Sequence, residues 1–220
     1  MQTIIDITTN LIFLTIFYNT SAYFCFNQTL VKFSNFKYEN VQRLCTYIYS
    51  SFHSYLIIIG SYLFLINKIT LETYFKFTIF TASYALFDII ILILNKTLKK
   101  EFLLHHTLLF ISTIITFPNE NLYPYLAYGL LGELSSLFLN KTWFNLHTIP
   151  INKKQTMKNT IITIILFTIF RIINYLNLLK VAFENEYYIG FILTLIVYIL
   201  NIYWYILLIK KAISINKKLD

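Results

Sequence analysis

Seven hydrophobic segments of about membrane-spanning length dominate the sequence and leave little room for any other architecture. Backbone groups inside a bilayer must hydrogen-bond within the protein, so each segment is predicted to be an α-helix. With 57% hydrophobic and 13% charged residues, and no polar stretch long enough to fold separately, the chain is predicted to be a single all-α, polytopic membrane protein. The segments run over residues 4–26, 43–66, 74–94, 102–117, 121–140, 159–179 and 188–209.

The basic residues predict how these segments are oriented. Fourteen of the eighteen lysines and arginines lie in the connections 27–43, 95–101 and 141–158 or in the C-terminal tail. Basic connections face the cytosol, so we expect a lumenal N-terminus and a cytosolic C-terminus. The net charge of +8 is spread along these connections and forms no single patch, which argues against a nucleic-acid partner.

The C-terminus carries a pattern typical of retrieval to the endoplasmic reticulum. Lys217 and Lys218 stand fourth and third from the end, as in the dilysine signals that cytosolic coat proteins bind. Such a signal works only on a cytosolic tail, which is where the charge distribution independently puts it. We therefore predict an endoplasmic-reticulum membrane protein with coat proteins among its partners. A basic flank beside the last helix is the plainer alternative.

Six ionisable side chains lie inside the hydrophobic segments, where such residues are rare and mark sites or buried ion networks. A charged side chain at this depth costs roughly 2.5–3.5 kcal/mol. At 1.5 Å per residue, four of them lie about 5–10 Å from the predicted cytosolic ends of three helices, and two lie deeper, at about 15–18 Å. We therefore expect a polar site that opens towards the cytosol. The shallow four are Asp88, His105, His106 and Glu133, and the deeper two are His53 and Arg171.

The catalytic candidates are the adjacent histidines His105 and His106, together with Asp88. Adjacent residues point about 100° apart on a helix, so we expect one histidine to face the centre while the other orients it or pairs with a neighbour. Asp88 either orients a histidine or makes a structural hydrogen bond between helices. Adjacent histidines match no zinc motif, so neither a metal nor another cofactor is expected.

Substrate binding is assigned to polar residues on other helices. Glu133, Ser136 and Asn140 recur at i+3 and i+4, which puts them on one face of the fifth helix. Arg171 is expected to be a counter-ion for one of the two buried carboxylates. His53 is either a residue of the site or a satisfied interior histidine.

The motifs, taken in order, resemble the TLC domain. The likeness covers about residues 40–210, and the superfamily groups translocating-chain-associated membrane proteins with ceramide synthases. It implies a six-helix TLC-like domain at 40–210, preceded by a transmembrane helix and connection at 1–39 and followed by a basic cytosolic tail at 211–220. The stretch 132–144, GELSSLFLNKTWF, is most similar to the TLC domain-containing protein 4 branch. The motifs are Arg43 with His53, YALFD at 84–88, the histidine pair, GELSS at 132–136 with Asn140, and Arg171.

The resemblance implies lipid metabolism or lipid homeostasis and leaves two kinds of activity open. One is acyl transfer from a fatty acyl-CoA to a lipid amine or alcohol, with a histidine attacking the thioester or acting as base. The other is non-catalytic binding or sensing of a membrane lipid. Ceramide synthases carry two closely spaced aspartates after the histidine pair, whereas this chain has the lone carboxylate Glu133, which favours the second. A seven-helix receptor and an inverted-repeat transporter fit less well, because the connections are short and no two halves are alike.

Overall fold

Seven helices and no strand make up the part of the chain that is described by the computed structural model, residues 4–32, 38–94, 99–147 and 153–219. Within these ranges the side chains of residues 4, 5, 23, 26–32, 38–42 and 216–219 are not described. The helices are α1 (Ile4–Lys32), α2 (Tyr38–Leu65), α3 (Leu71–Leu94), α4 (Lys100–Thr116), α5 (Tyr123–Leu130 and Leu134–His147, joined by a 3-10 turn at Leu131–Glu133), α6 (Lys153–Phe167 and Asn174–Glu184, joined by a π-helical turn at Thr168–Ile173) and α7 (Tyr188–Leu219). A short 3-10 helix, Glu120–Leu122, precedes α5.

The all-α membrane fold predicted from the sequence is confirmed. Four helical stretches are long and apolar enough to cross a bilayer by length and composition: Arg43–Leu65, Leu71–Leu94, Lys153–Glu184 and Tyr188–Ile215. Helix α4, with 17 residues, is about 26 Å long, slightly less than a typical hydrocarbon core. Helix α7 continues to Leu219, through most of the segment that the sequence predicted to be a tail.

Burial separates an interior helix from helices that face lipid. Half of the apolar window of α3 is buried inside the protein, against 17% for α7, so α3 lies at the centre and α7 at the periphery. Helix α6 exposes a stripe of aliphatic side chains spaced three or four residues apart, as expected for a face in contact with acyl chains. The stripe comprises Ile161, Ile165, Ile169, Ile173 and Leu176.

The irregular turns of α5 and α6 face each other and are held together by α6 side chains. Three carbonyl oxygens near the α5 turn accept hydrogen bonds from α6, which supplies the partners that broken helical bonding requires in a membrane. Gly132 makes the contact close, because a Cβ there would lie 3.4 Å from the side chain of Arg171. The bonds run from Asn174 Nδ2 to Tyr128 O (2.8 Å), from Tyr175 Oη to Gly129 O (3.1 Å) and from Arg171 Nε to Gly132 O (3.1 Å).

One end of the bundle gathers the start of α2, the end of α3, the start of α4 and the end of α7 around a common cavity. Three exposed basic side chains, Arg43, Lys99 and Lys211, line that cavity, and we call this the basic end. The connections at 66–70 and 185–187 lie at the opposite end. Under the charge rule for topology, the basic end is the one expected to face the cytosol.

Candidate functional site

A buried histidine–aspartate pair and a buried arginine–glutamate pair each link two neighbouring helices. On α4, His106 Nε2 lies 2.7 Å from Oδ2 of Asp88 on α3. On α6, Arg171 Nη2 lies 2.8 Å from Oε1 of Glu133 on α5. No side chain of the four is more than 14% exposed. Each carboxylate is therefore hydrogen-bonded to a specific nitrogen, and Glu133 has in addition the positive charge of Arg171 beside it.

Arg171 is bound by acceptors from two other helices. Its counter-ion is Glu133, one of the two carboxylates that the sequence left open. A guanidinium presents five N–H donors in a fixed fork, which suits a buried site with several acceptors. The acceptors are Gly132 O (from Nε, 3.1 Å), Ser135 Oγ (Nε, 3.0 Å), Asn201 Oδ1 (Nη1, 3.3 Å), Ser136 Oγ (Nη2, 2.9 Å) and Glu133 Oε1 (Nη2, 2.8 Å).

His53 packs between α2 and α3 and lines neither of the two cavities of the bundle described below. Its ring stacks on Tyr84 with 3.9 Å between ring centroids, and its Nε2 lies 3.3 Å from Thr81 Oγ1. Tyr84 does line the cavity at the basic end and also contacts the ring of His106 edge-on. His53 therefore packs behind Tyr84, which separates it from that cavity.

Asn140 joins the end of α5 to α2. Its Nδ2 donates to Ser51 Oγ at 3.0 Å and to Ser50 Oγ at 3.2 Å. Ser136, one turn earlier, accepts from Arg171. Both residues line the cavity at the basic end, as does Glu133, so the face predicted from the i+3 and i+4 spacing points towards one space.

The cavity at the basic end has a volume of about 410 Å³, and we call it the charged chamber. Its lining combines ionisable side chains with aromatic and aliphatic ones such as Phe102, Trp204 and Leu207. The structure thus brings together both histidines of the pair and both buried carboxylates. The ionisable residues of the lining, tyrosines aside, are Arg43, Asp88, Lys99, His105, His106, Glu133, Arg171 and Lys211.

A second cavity, of about 510 Å³, lies towards the opposite end, and we call it the aliphatic chamber. Nine leucine, isoleucine and valine side chains line it, with tyrosines and Glu186 towards the 185–187 connection. His105 and Leu109, one turn apart on α4, line both chambers. The ring of His105 packs edge-on against Trp204, 5.1 Å between centroids, and against His106, 5.0 Å. His105 therefore stands where the charged and the aliphatic chambers meet.

This arrangement of helices and polar motifs matches a known domain. A family model of the TLC domain matches residues 8–210. The chain belongs to the TLC-domain family. The match extends to α1, whose Tyr18 stacks on Phe87 of α3, whereas the resemblance predicted from sequence began near residue 40. No curated protein and no solved structure matches the chain. TLC-domain proteins are generally membrane proteins of lipid metabolism or lipid homeostasis, and the long apolar helices of this chain fit a multi-pass membrane protein.

Asn201 and Trp204 are among the residues of this TLC-domain site that the sequence did not reveal. Asn201 binds the guanidinium of Arg171, and Trp204 packs on His105. Asn201 could have been found, because it is a fully buried amide in an otherwise hydrophobic segment. No signal in the sequence distinguishes Trp204 from the many aromatic side chains that face lipid.

The charged chamber has the groups for acid–base or nucleophilic chemistry on a ligand with an apolar chain. With Asp88 accepting from Nε2–H of His106, the Nδ1 atom of that ring carries the lone pair. Nδ1 of His105 and Nδ1 of His106 are both buried without a hydrogen-bond partner among the described residues. Within those residues, no group of three histidine, cysteine, aspartate or glutamate side chains is arranged to hold a metal ion.

Proposed function

We propose that this TLC-domain protein transfers an acyl group from a fatty acyl-CoA to a lipid amine or alcohol in the endoplasmic-reticulum membrane, and thereby contributes to lipid homeostasis. One observation carries the proposal: His105 lies at the junction of an aliphatic chamber and a charged chamber, beside a histidine that is bonded to a buried carboxylate. An acyl thioester has the same division into an apolar chain and a polar head.

The two chambers suggest how such a ligand lies. Its acyl chain occupies the aliphatic chamber, where burial of each methylene contributes about 0.8 kcal/mol. The thioester carbonyl then lies at the junction, next to His105. The polar head extends through the charged chamber towards the basic end. Ser136 and Asn140 line that chamber and supply polar contacts for the acyl acceptor.

The chemistry needs one histidine that contacts the reacting atoms and one that positions it. The acceptor nitrogen or oxygen attacks the thioester carbonyl, the C–S bond breaks, and CoA leaves as a thiolate. His105 takes the proton of the acceptor and returns it to the thiolate. His106, fixed by Asp88, holds the His105 ring through their edge-on contact, and the Glu133 carboxylate in the same chamber stabilises the imidazolium. In the nucleophilic variant, His105 attacks the thioester first and the acceptor then attacks the acyl-imidazole.

Release of CoA from palmitoyl-CoA, measured with purified protein and a panel of lipid amines and alcohols, tests the proposal. His105→Ala should lower the rate at least about a hundredfold, the usual contribution of a positioned acid or base. His147→Ala is the matched control, since this histidine stacks on Trp143 and lines neither chamber. An acyl adduct seen by intact mass on the wild type, and lost in His105→Ala, would identify the nucleophilic variant. Equal rates in the two variants would refute catalysis by His105.

A non-catalytic lipid sensor is the second candidate, and the state of Glu133 favours it. Arg171 and Ser54 both bond to the Glu133 carboxylate. Asp88 is then the carboxylate that is bonded to the histidine pair, through His106. A sensor would bind palmitoyl-CoA or a membrane lipid without releasing CoA. In that case His105→Ala would change the affinity of the protein for its ligand, and neither the wild type nor the variant would release CoA.

Residence in the endoplasmic reticulum and membership of the TLC domain-containing protein 4 branch are parts of the same proposal. The branch rests on the stretch GELSSLFLNKTWF, and the location rests on the terminal lysines, whose side chains lie outside the described ones. Replacing Lys217 and Lys218 with serine should let part of the protein reach later secretory compartments, as scored by microscopy and glycan processing of a tagged chain. An unchanged distribution would reduce the two lysines to a basic flank.

A further inference from the structure

We propose that the mouth of the charged chamber is a phosphate-binding site for the head of an amphiphilic ligand, formed by Arg43, Lys99 and Lys211. The three residues come from different parts of the chain: the first turns of α2, the residue before α4, and the last third of α7. All three are exposed and line the same chamber. The inference rests on the proposed function only in using its chamber, and it requires no acyl transfer.

The balance of charge in the chamber favours an anion at its mouth. Four cationic side chains and two carboxylates line it, an excess of two positive charges when the histidines are neutral. Both carboxylates are already engaged, Glu133 by Arg171 and Asp88 by His106. Within the described part of the chain, Arg43, Lys99 and Lys211 form no ion pair. Their charge is therefore available to a ligand.

The beginning of α4 adds to this positive field. Lys99, its N-cap residue, has an extended backbone and makes no capping hydrogen bond with its side chain. The first N–H groups of a helix have no partner within the helix and carry the positive end of its dipole. Glu101 lies in this first turn but is not among the residues that line the chamber. An anion in the mouth would thus meet two lysines, a guanidinium and a helix N-terminus.

Apolar side chains also line the chamber, so an anion bound at its mouth is expected to be the head of a molecule that has an apolar part. Phe102, Trp204 and Leu207 line the same chamber as the basic residues, and His105 lines both this chamber and the aliphatic chamber. His106 is 6% exposed, lines the chamber and has an unpaired Nδ1 atom among the described residues, so the space also contains an unmatched polar atom. A guanidinium with two ammonium groups suits a phosphate better than a carboxylate, because a phosphate offers more acceptor oxygens. The ligand class is therefore a phosphate ester that carries an apolar chain, either a CoA thioester or an anionic phospholipid.

Binding measurements on the full chain in maltoside micelles can test the site with matched probes. Palmitoyl-CoA is compared with palmitoyl-pantetheine, which lacks the phosphates together with the adenosine, and phosphatidic acid is compared with diacylglycerol, which lacks only the phosphate. The test variant is Lys99→Gln with Lys211→Gln. The control is Lys100→Gln with Lys210→Gln, the two sequence neighbours, which carry the same charge but do not line the chamber. Both double variants change the net charge equally.

The test variant should lose about tenfold or more in affinity for a phosphate-bearing probe, and the control less than about twofold. Neither double variant should change the binding of the phosphate-free probes. Arg43→Gln, introduced into the test variant, should weaken the binding of the phosphate-bearing probes further. If the loss appears with phosphatidic acid and not with palmitoyl-CoA, the phosphate site stands and the acyl-CoA donor proposed above is refuted. Equal losses in both double variants, no loss, or the same loss with phosphate-free probes would each overturn the site.

Discussion

Replacing Arg171 with alanine should be among the most damaging single changes to the stability of this protein. The residue is 5% exposed, and its guanidinium donates to Glu133, Gly132, Ser135, Ser136 and Asn201. Its removal leaves a buried carboxylate without a counter-ion and several acceptors without a donor. The effect is therefore expected to exceed the loss of a single contact.

Two magnitudes decide how large the effect is. Neutral hydrogen bonds between membrane helices contribute about 0.6 kcal/mol on average and no more than about 1.7 kcal/mol. Breaking a buried ion pair from one side costs about 3–5 kcal/mol, because the partner is left charged and unpaired. Arg171→Ala should therefore lower the free energy of unfolding by about 3–5 kcal/mol, and Asn201→Ala by about 0.6–1.7 kcal/mol.

Unfolding of the purified protein in mixed micelles, followed by circular dichroism as the proportion of ionic detergent is raised, measures both changes. The decisive variant adds Glu133→Gln to Arg171→Ala. A neutral amide needs no counter-ion, so this second change should restore at least about 2 kcal/mol, a coupling typical of residues in one ion-pair network. The pair of single variants and the double variant form a complete cycle.

Two results would refute the reasoning. If Arg171→Ala costs no more than Asn201→Ala, the guanidinium contributes only ordinary hydrogen bonds. If Glu133→Gln restores nothing, the carboxylate in the Arg171→Ala protein is already neutral or hydrated. In either case the pair would not be a buried charge pair in the working protein.

Three further predictions use other parts of the bundle. A tag at the C-terminus should be accessible in selectively permeabilised cells and one at the N-terminus should not; two ends on one side would remove the seven-helix topology. His105→Ala should change the free energy of unfolding by less than about 1 kcal/mol. His106→Ala should lower it by about 1–3 kcal/mol, because the buried Asp88 carboxylate loses its partner, and equal effects of the two variants would contradict the prediction. Gly60→Ala should cost about 1–3 kcal/mol, since its Cβ would meet the Phe77 ring at 2.7 Å, while Gly129→Ala, with 3.7 Å to its nearest neighbour, should stay within about 0.5 kcal/mol in the same assay.

The fold was predictable because a bilayer restricts the backbone so strongly. Hydrophobic length alone located all seven helices, with errors confined to their ends, where a helix continues into the polar flanks. The 3-10 turn at Leu131–Glu133 and the π-helical turn at Thr168–Ile173 were not predicted, since neither needs a particular residue type. Gly132 permits the close approach of the two turns, but a glycine does not by itself indicate a change of helix type.

The partners within the site were less predictable than its members. The depth estimated from the helix ends placed Asp88 and the histidine pair in one layer, and Asp88 is indeed bonded to His106. The same estimate placed Arg171 about 8 Å deeper than Glu133, although these two residues are also bonded. The structure does not have that difference in level, because the facing turns bring Gly132 next to Cγ of Arg171, so the depth estimate was wrong for this pair. Which helices are neighbours is a property of tertiary packing, so the sequence could not choose between the two carboxylates. For the same reason it could not tell that His53 packs away from the cavities.

The π-helical turn in α6 fixes which side of that helix faces α5 beyond residue 173. A π turn accommodates one residue more than an α turn within nearly the same rotation, so deleting a single residue from it and restoring a regular helix would leave the side chains that follow at nearly the same angle. Asn174 and Tyr175 would then keep the carbonyl oxygens they now satisfy, whereas a deletion that the turn did not absorb would rotate both by about 100°. The segment Thr168–Ile173 is thus the place in α6 where the chain can lose one residue without changing the face that the second half turns towards α5.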